Sequence, residues 1–502
     1  MCAIQIGSRR EVLWDEYLID RAEGVYVRMH RPEYRGEAFR CDAPWEGAHS
    51  GYFQIFRDER LIRMYYRGSG GGFDEEGDRK GTDSDRWCYA VSRDGKTFER
   101  VPLDVCIKPE YPGSNIFFPG SHDNIHICLD TNPDCPKEEK YKALIGTHRQ
   151  TLEYWKSGDG IHFAFERVLV DDGAYDSMNV AFWDTNTQQY FLFYRGMHGE
   201  RAKDGKWSHE GGGIAYHNTG LIRDVRVRTS KDFVTWSRPQ MLAFGPDAED
   251  YELYTNQVQP YYRAKHMMIG FPMRYFDRWE DEQNYPSLPA WPQRRQMIIA
   301  EGRTGTAITD GIVMTSRDGL HFRRTDEAFI SPGPEDGSNW FYGNAGPSLG
   351  MIETESDIPG RPREISLYFS ANYRVGDVVL RRWAVRLDGF FSWRADFAGG
   401  TVLTKPFVFE GEELYLNFAT SALGHVRIVI CDQEGNVIPG YDTGRIFGDS
   451  IRRKAGFAED LSALSGKPVR LRIELKDADL YSFRFEKAMH LSSQTGRWNR
   501  QD

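Results

Sequence analysis

Ser92-Arg93-Asp94-Gly95-Lys96-Thr97-Phe98 is the stretch that organises this chain. It returns as Ser157-Gly158-Asp159-Gly160-Ile161-His162-Phe163, as Ser230-Lys231-Asp232-Phe233-Val234-Thr235-Trp236 and as Ser316-Arg317-Asp318-Gly319-Leu320-His321-Phe322. A degenerate fifth copy reads Leu387-Asp388-Gly389-Phe390-Phe391. Asp-Gly between strand-like runs signals a tight hairpin, because glycine accepts the positive φ that such turns need. A hairpin returning at regular intervals implies a repeated sheet unit, and the length of the interval allows four strands plus long loops. The expected fold is all-β: a five-bladed β-propeller followed by a C-terminal β-sandwich.

Each hairpin is preceded by strand candidates that mix β-branched and aromatic residues. Tyr52 to Phe56 and Leu61 to Arg67 serve the first unit, Asn124 to Leu129 and Lys142 to Arg149 the second, and Asn179 to Trp183 and Tyr190 to Arg195 the third. Gln257 to Tyr262 and His266 to Arg274 serve the fourth, and Ala345 to Ile352 and Ile365 to Arg374 the fifth. With strands lettered A to D outward from the axis, the Asp-Gly hairpins join C to D. Residues 1–390 are assigned to the propeller. Within them residues 1–40, which include the strand candidate Val25 to His30, are expected to close or flank the ring. Residues 391–502, with short strand candidates that include Glu413 to Phe418 and Val426 to Cys431, are assigned to the sandwich. The segments 68–86, 196–222 and 275–308 read as long loops, a length that is usually functional.

The composition narrows the partners. A formal net charge of −10 argues against nucleic acid, and no apolar run approaches a membrane span. The first ten residues lack the apolar core of a secretory signal. Seven cysteines are scattered, with no C-x-x-C, so neither structural zinc nor a disulfide framework is expected. Cys88 and Cys128 lie in strand-like runs and read as buried thiols. A reducing compartment, most simply the cytoplasm, follows.

Strands of a blade alternate in direction, so the start of A and the end of B share one face. Acids precede the A strands: Glu46 in the first unit, Asp123 in the second, Asp176 in the third and Glu252 in the fourth. Gathered at one mouth of the channel, crowded carboxylates repel, and one of them becomes a proton donor at neutral pH. The bland alternative is that they are turn formers or solvated loop charges. His122, Asp123 and His126 also offer a possible channel metal site, although no cofactor or metal is required by the reading. Five B strands end at arginine, at Arg67, Arg149, Arg195, Arg274 and Arg374. These either pair with neighbouring acids or recognise anionic groups of a substrate. His49, Gln257, Tyr342 and Asn344 complete the candidate substrate-binding set, and Trp45, Tyr254, Trp291 and Trp340 are further aromatics suited to sugar rings.

Acids at inner-strand starts, Ser-x-Asp-x-x-x-Phe/Trp hairpins and a trailing β-region together resemble the five-bladed propeller glycoside hydrolases, the invertase and levanase group and the arabinanase and xylosidase group. The opening Leu13-Trp14-Asp15-Glu16-Tyr17-Leu18-Ile19-Asp20 is similar to that of bacterial proteins of this superfamily. The Asn-Asp-Pro-Asn-Gly, Arg-Asp-Pro and Glu-Cys-Pro patterns of the invertase group are absent; Pro44-Trp45-Glu46-Gly47 stands where the first is expected. The resemblance implies an exo-acting glycoside hydrolase working on a terminal or furanosidic sugar, and the five arginines add the expectation of an anionic one. It makes Glu252 the general acid and Asp176 the acid that tunes it and orients substrate. Glu46 and Asp123 compete for base or nucleophile, which leaves retention and inversion both open. Two alternatives stand beside it: a phosphate-dependent glycoside phosphorylase, and a carbohydrate-binding protein without catalysis.

Overall fold

The computed structural model describes residues 3–73, 79–80, 86–106, 110–118, 124–147, 151–199, 221–301 and 303–488. The chain divides into two compact units. Residues 31–386 form one; residues 1–30 and 387–502 form the other.

The first unit is a five-bladed propeller. Blade 1 runs from Gly51–Asp58 (A) through Leu61–Gly68 (B) and Arg86–Ser92 (C) to Glu99–Arg100 (D). Blade 2 is Ile125–Leu129, Tyr141–Gly146, Leu152–Ser157 and Ala164–Val170. Blade 3 is Val180–Asp184, Gln189–His198, Ile222–Ser230 and Gln240–Met241.

Blade 4 is split into two short sheets. Its A strand is Glu252–Leu253 and Gln259–Pro260, its B strand Met268–Gly270 and Met273–Asp277, and its C strand Ala307–Gly311 and Met314–Ser316, with Phe322–Arg324 as D. The break falls at Pro272, which has no N–H to give to a ladder. Sequence reading ran Gln257 to Tyr262 and His266 to Arg274 as continuous strands and missed this. It also missed the α-helix Trp291–Glu301, which lies in the segment read as a loop.

Blade 5 shows how the ring closes. Glu364–Ala371 and Val379–Arg386 form B and C, and the outermost strand is Glu33–Arg40, from the start of the chain. Phe39 pairs with Leu380 and Arg40 with Val379. Residues 33–40 therefore do close the ring, as the N-terminal 40 were expected to do. Val25 to His30 do not: Tyr26–Met29 pairs with Phe391–Ala395 in the other unit. The boundary expected at residue 390 accordingly moves to 386, and the first 30 residues change sides.

This arrangement also corrects the fifth hairpin. Blade 5 takes its D strand from residues 33–40, so the turn at 387–390 leads into the strand Phe391–Ala395 of the second unit and not back into the blade. Asp388 instead serves the second unit. Its carboxylate accepts from Ser482 Oγ at 2.7 Å, and its carbonyl accepts the Trp14 indole N–H at 2.9 Å. The four true hairpins share one set of bonds. The Ser92, Ser157 and Ser316 hydroxyls accept the N–H of Gly95, Gly160 and Gly319 at 2.8–2.9 Å. The aspartate Oδ1 accepts the N–H two residues on, at 2.8–2.9 Å in all four. In blade 3 the N–H groups of Thr235 and Val234 pull the Asp232 carboxyl down to about 2.

The hairpins dock on the neighbouring blade. Tyr368 of blade 5 donates its hydroxyl to Gly95 O at 2.5 Å, and Tyr65 of blade 1 donates to Gly160 O at 3.0 Å. Phe233 stands in the glycine position of blade 3 at φ 61, and its ring packs on Tyr154 of blade 2 at 5.0 Å. The repeated motif is thus a latch between blades.

The second unit is a β-sandwich built on two 19-residue strands, Glu413–Cys431 and Pro468–Glu486. They pair along their length with an irregularity between Thr420 and His425. Where sequence reading placed separate strands at Glu413 to Phe418 and Val426 to Cys431, one strand runs through both. Its core gathers Trp393, Phe407, Phe418, Ile428, Leu471 and Phe483, with Leu13 and Leu18 from the N-terminal segment.

Candidate functional site

Asp176 and Glu252 precede or open the inner strands of blades 3 and 4, and each carboxylate meets a buried arginine. Arg195, on strand B of blade 3, donates from Nη1 to Asp176 Oδ1 at 2.8 Å and from Nη2 to Tyr254 O at 2.7 Å. Arg223, at the start of strand C of the same blade, pairs with Glu252. Both guanidiniums lie against one ring: Arg195 is 4.4 Å and Arg223 is 5.1 Å from the centroid of Tyr254. A guanidinium on an aromatic face gains from the ring quadrupole, most of all when desolvated. The site is therefore a continuous chain, Asp176–Arg195–Tyr254–Arg223–Glu252, across two blades.

The carboxylates differ in access. The Asp176 side chain is 40% exposed and that of Glu252 15%. Asp176 is thus open to water, and Glu252 is more sheltered.

Beside the chain lies a cavity of about 50 Å³ at the axis, lined in part by Tyr52, Thr255, Gln257, Tyr342 and Tyr373. The Tyr342 hydroxyl bonds to that of Tyr254, which ties the cavity wall to the arginine pair. Gln257 is buried; its amide donates to Pro347 O at 2.9 Å and its Oε1 accepts from Thr255 at 2.7 Å. Asn344 is buried as well, and its Oδ1 accepts the Asn372 N–H at 3.1 Å. His49 packs on Tyr373, ring centroids 5.3 Å apart.

Glu46 is not part of this mouth, and its candidacy as base or nucleophile is corrected. Its side chain is 0% exposed. Arg100 grips both oxygens at 3.0 and 2.5 Å, the Tyr66 hydroxyl donates at 2.5 Å, and Ala43 N–H donates at 3.1 Å. A carboxylate so enclosed can meet neither water nor sugar. Asp123, the other candidate, and His122 lie outside the described residues, as does Arg149. His126 is buried at the channel wall, and burial lowers its imidazole to about 4.

The arginines divide. Arg195 is paired with Asp176, and Arg274 holds Asp310 with two bonds at 2.9 and 2.6 Å. For these two the structure supports the alternative that they pair with neighbouring acids. Arg67 is buried beneath the cavity rim, donates to His49 O and to Tyr373 Oη at 3.0 Å, and lies 4.8 Å from the Tyr52 centroid. Arg374, at φ 71, lies 5.2 Å from the Tyr342 centroid. Of the aromatics, Trp45 donates to Asn115 Oδ1 and Trp340 to Gly333 O, each at 2.8 Å, while Trp291 stacks on Tyr285.

Sequence reading missed Arg223 and His198. His198 ends strand B of blade 3, with Nδ1 3.1 Å from Asp224 and Nε2 3.0 Å from Asp250. The hydrogen bond to Asp224, with that to Asp250, raises the imidazole to about 9, so it is a cation at neutral pH. The available signal was positional: Arg223 and His198 occupy paired ends of strands C and B on the acid-bearing face, where alternation alone would have placed them.

No protein-family profile and no curated protein matches this sequence. Solved structures do resemble it. The catalytic domain of the Coprinopsis cinerea GH62 alpha-L-arabinofuranosidase is 9% identical, with 71% of this chain and 99% of that one aligned and a TM-score of 0.41. A glycoside hydrolase structure is 13% identical over 70% of this chain and 92% of that one, TM-score 0.42. A GH130 structure, from a family of mannoside phosphorylases that contains glycoside hydrolases targeting beta-1,2 mannosidic linkages in Candida mannan, is 14% identical over 71% and 94%, TM-score 0.37. These likenesses are distant; the five-bladed propeller stands on its own strand pairing, and the structures similar to it include glycoside hydrolases.

Proposed function

We propose that this chain is an exo-acting glycoside hydrolase, with Glu252 as the general acid and Asp176 as the carboxylate that activates water. The observation that carries this reading is the pair itself: two carboxylates on adjacent blades, held by Arg195 and Arg223 against the single ring of Tyr254. Glycoside hydrolysis needs one carboxyl to protonate the leaving oxygen and a second to activate water or attack the anomeric carbon. Asp176, the more exposed of the two, is the one open to water and takes the second task, which leaves the first to Glu252. With Arg195 and Arg274 committed to protein carboxylates, a neutral sugar fits better than an anionic one.

The test is turnover of a panel of aryl glycosides and oligosaccharides in phosphate-free buffer by wild type, Glu252→Gln and Asp176→Asn. Each variant is expected to lose activity by roughly 10²–10⁴-fold with an unchanged circular dichroism spectrum. Undiminished turnover in Glu252→Gln removes it from the mechanism. Turnover only with phosphate, giving a sugar phosphate, points to the phosphorylase. Glycan binding without cleavage by wild type points to a binding protein.

A further inference from the structure

The propeller axis carries a second and much larger cavity, of about 410 Å³, lined by inner-strand residues of all five blades. It includes Arg57, Thr185 and Lys265, which lie at the A–B turns, on the face opposite the starts of the A strands. It is thus a different site from the one bearing Asp176 and Glu252.

Two features define its chemistry. Its wall is apolar and aromatic, with Phe182, Trp183 and Tyr262 among branched aliphatic residues. Its rim carries two exposed cations, Arg57 and Lys265, and among the described residues no acid lines it. The nearest acids in sequence are taken elsewhere. Asp58 meets Arg63 at 3.1 Å and Lys140 at 2.9 Å, Asp184 accepts the N–H of Thr187 at 2.9 Å within its own turn, and Glu353 accepts the Tyr262 hydroxyl at 2.9 Å and faces Arg263 and Arg363. Among the described residues Arg57 and Lys265 therefore have no ion pair.

We propose that this axial cavity binds a compact organic anion with an apolar, ring-sized body: the ring among Phe182, Trp183 and the aliphatic wall, the anionic group between Arg57 and Lys265. Pockets of this volume that are mostly apolar with a few placed polar groups are typical small-molecule sites. The charge fixes which end faces out, because a carboxylate taken from water needs cationic partners to offset its lost hydration.

Calorimetric titration with 4-phenylbutyrate and with its neutral amide, 4-phenylbutyramide, tests this. Wild type should bind the carboxylate roughly tenfold or more tightly than the amide, a difference that shrinks as sodium chloride is raised, since exposed cations are screened. Arg57→Met with Lys265→Met should abolish the preference, and Thr185→Trp, a bulky side chain on the exposed rim, should block both ligands. Glycosidase turnover should be unchanged in these variants, as none of the residues touches the other mouth. Absence of saturable binding to wild type, equal affinity for acid and amide, or full binding in Thr185→Trp would each overturn the proposal. Should the double variant fail to fold, the salt dependence in wild type decides alone.

Discussion

Arg195 meets Tyr254 twice: its Nη2 donates to the Tyr254 carbonyl at 2.7 Å, and its guanidinium carbon lies 4.4 Å from the centroid of the same residue's ring. One cation is thereby fixed in both direction and tilt, and its remaining Nη1 presents a single bond to Asp176. Arg195 is a positioning residue in this account, acting through the carboxylate it holds. Replacing Arg195 by Met should lower kcat by roughly 10–100-fold while KM changes little, because a misplaced carboxylate loses orientation and not substrate contact. The loss should be the same for neutral and anionic sugars. A selective rise in KM for anionic sugars would instead make Arg195 a substrate ligand.

Glu46 gives the opposite expectation. It is enclosed by Arg100, Tyr66 and the Ala43 N–H; removing it takes a partner from the buried Tyr66 hydroxyl, while Arg100, 29% exposed, keeps Asp42. Glu46→Ala should cost about 1–3 kcal/mol per stranded donor, read from urea denaturation. Glu46→Gln, which retains part of the hydrogen bonding, should melt lower than wild type yet keep the kcat/KM of the folded enzyme. A fall in kcat/KM of a hundredfold or more in that variant would return Glu46 to the catalytic set.

The latch between blades can be weighed with two glycines. A Cβ on Gly160, at φ +81, would lie 2.6 Å from the Tyr65 hydroxyl; one on Gly113, at φ +71, would meet nothing within 4 Å. Gly113→Ala should cost about 1 kcal/mol, the strain of a left-handed backbone alone. Gly160→Ala should cost about 1–3 kcal/mol more, the additional toll of overpacking, and Tyr65→Phe in the same chain should recover part of it. Equal costs at the two positions would mean that the hairpin does not press on the neighbouring blade.

His198 makes part of the stability pH-dependent. Its imidazole is raised from the ordinary 6.5 to about 9 by Asp224 and Asp250. A group whose folded pKa is raised contributes stability that is fully present below pH 6.5 and lost as pH rises through about 9. The wild-type melting temperature should therefore decline between pH 6.5 and 9.5 more steeply than that of His198→Gln. Parallel profiles, or an imidazole seen by NMR to titrate near 6.5, would contradict the ion pairing.

The architecture was legible because its signal is local. Ser-x-Asp-Gly writes its own turn: serine and aspartate bond to N–H groups two or three residues away, so a short window contains the whole reason for the hairpin. The A and B strands of blades 1 to 3 were legible for the same reason. What the chain hid is non-local. Leu387-Asp388-Gly389 has the letters of a hairpin and does turn, but where the turn leads depends on who supplies the blade's next strand, and that strand lies at residues 33–40. Glu46 occupies the position of a catalytic acid in the sequence, and only the placement of Arg100 and Tyr66 around it shows that it is enclosed. Asp176 and Glu252 were found by position along the strand; Arg223, which holds one of them, sits on a C strand whose alternating charges carry no mark of what they face.

The closing strand of blade 5 sets an order of events during synthesis. Residues 33–40 leave the ribosome early and cannot join their sheet until Val379–Arg386 has been made. The strand Tyr26–Met29 waits likewise for Phe391–Ala395. For most of translation the nascent chain therefore carries unpaired strand edges at its N-terminus, exposed to aggregation until the last blade arrives. Closure joins residues far apart in sequence, so it should be slow. The same wiring means that a chain cut at residue 390 separates neither unit cleanly: the first piece keeps sandwich strands with nothing to pair them, and the second lacks the N-terminal residues that complete its core.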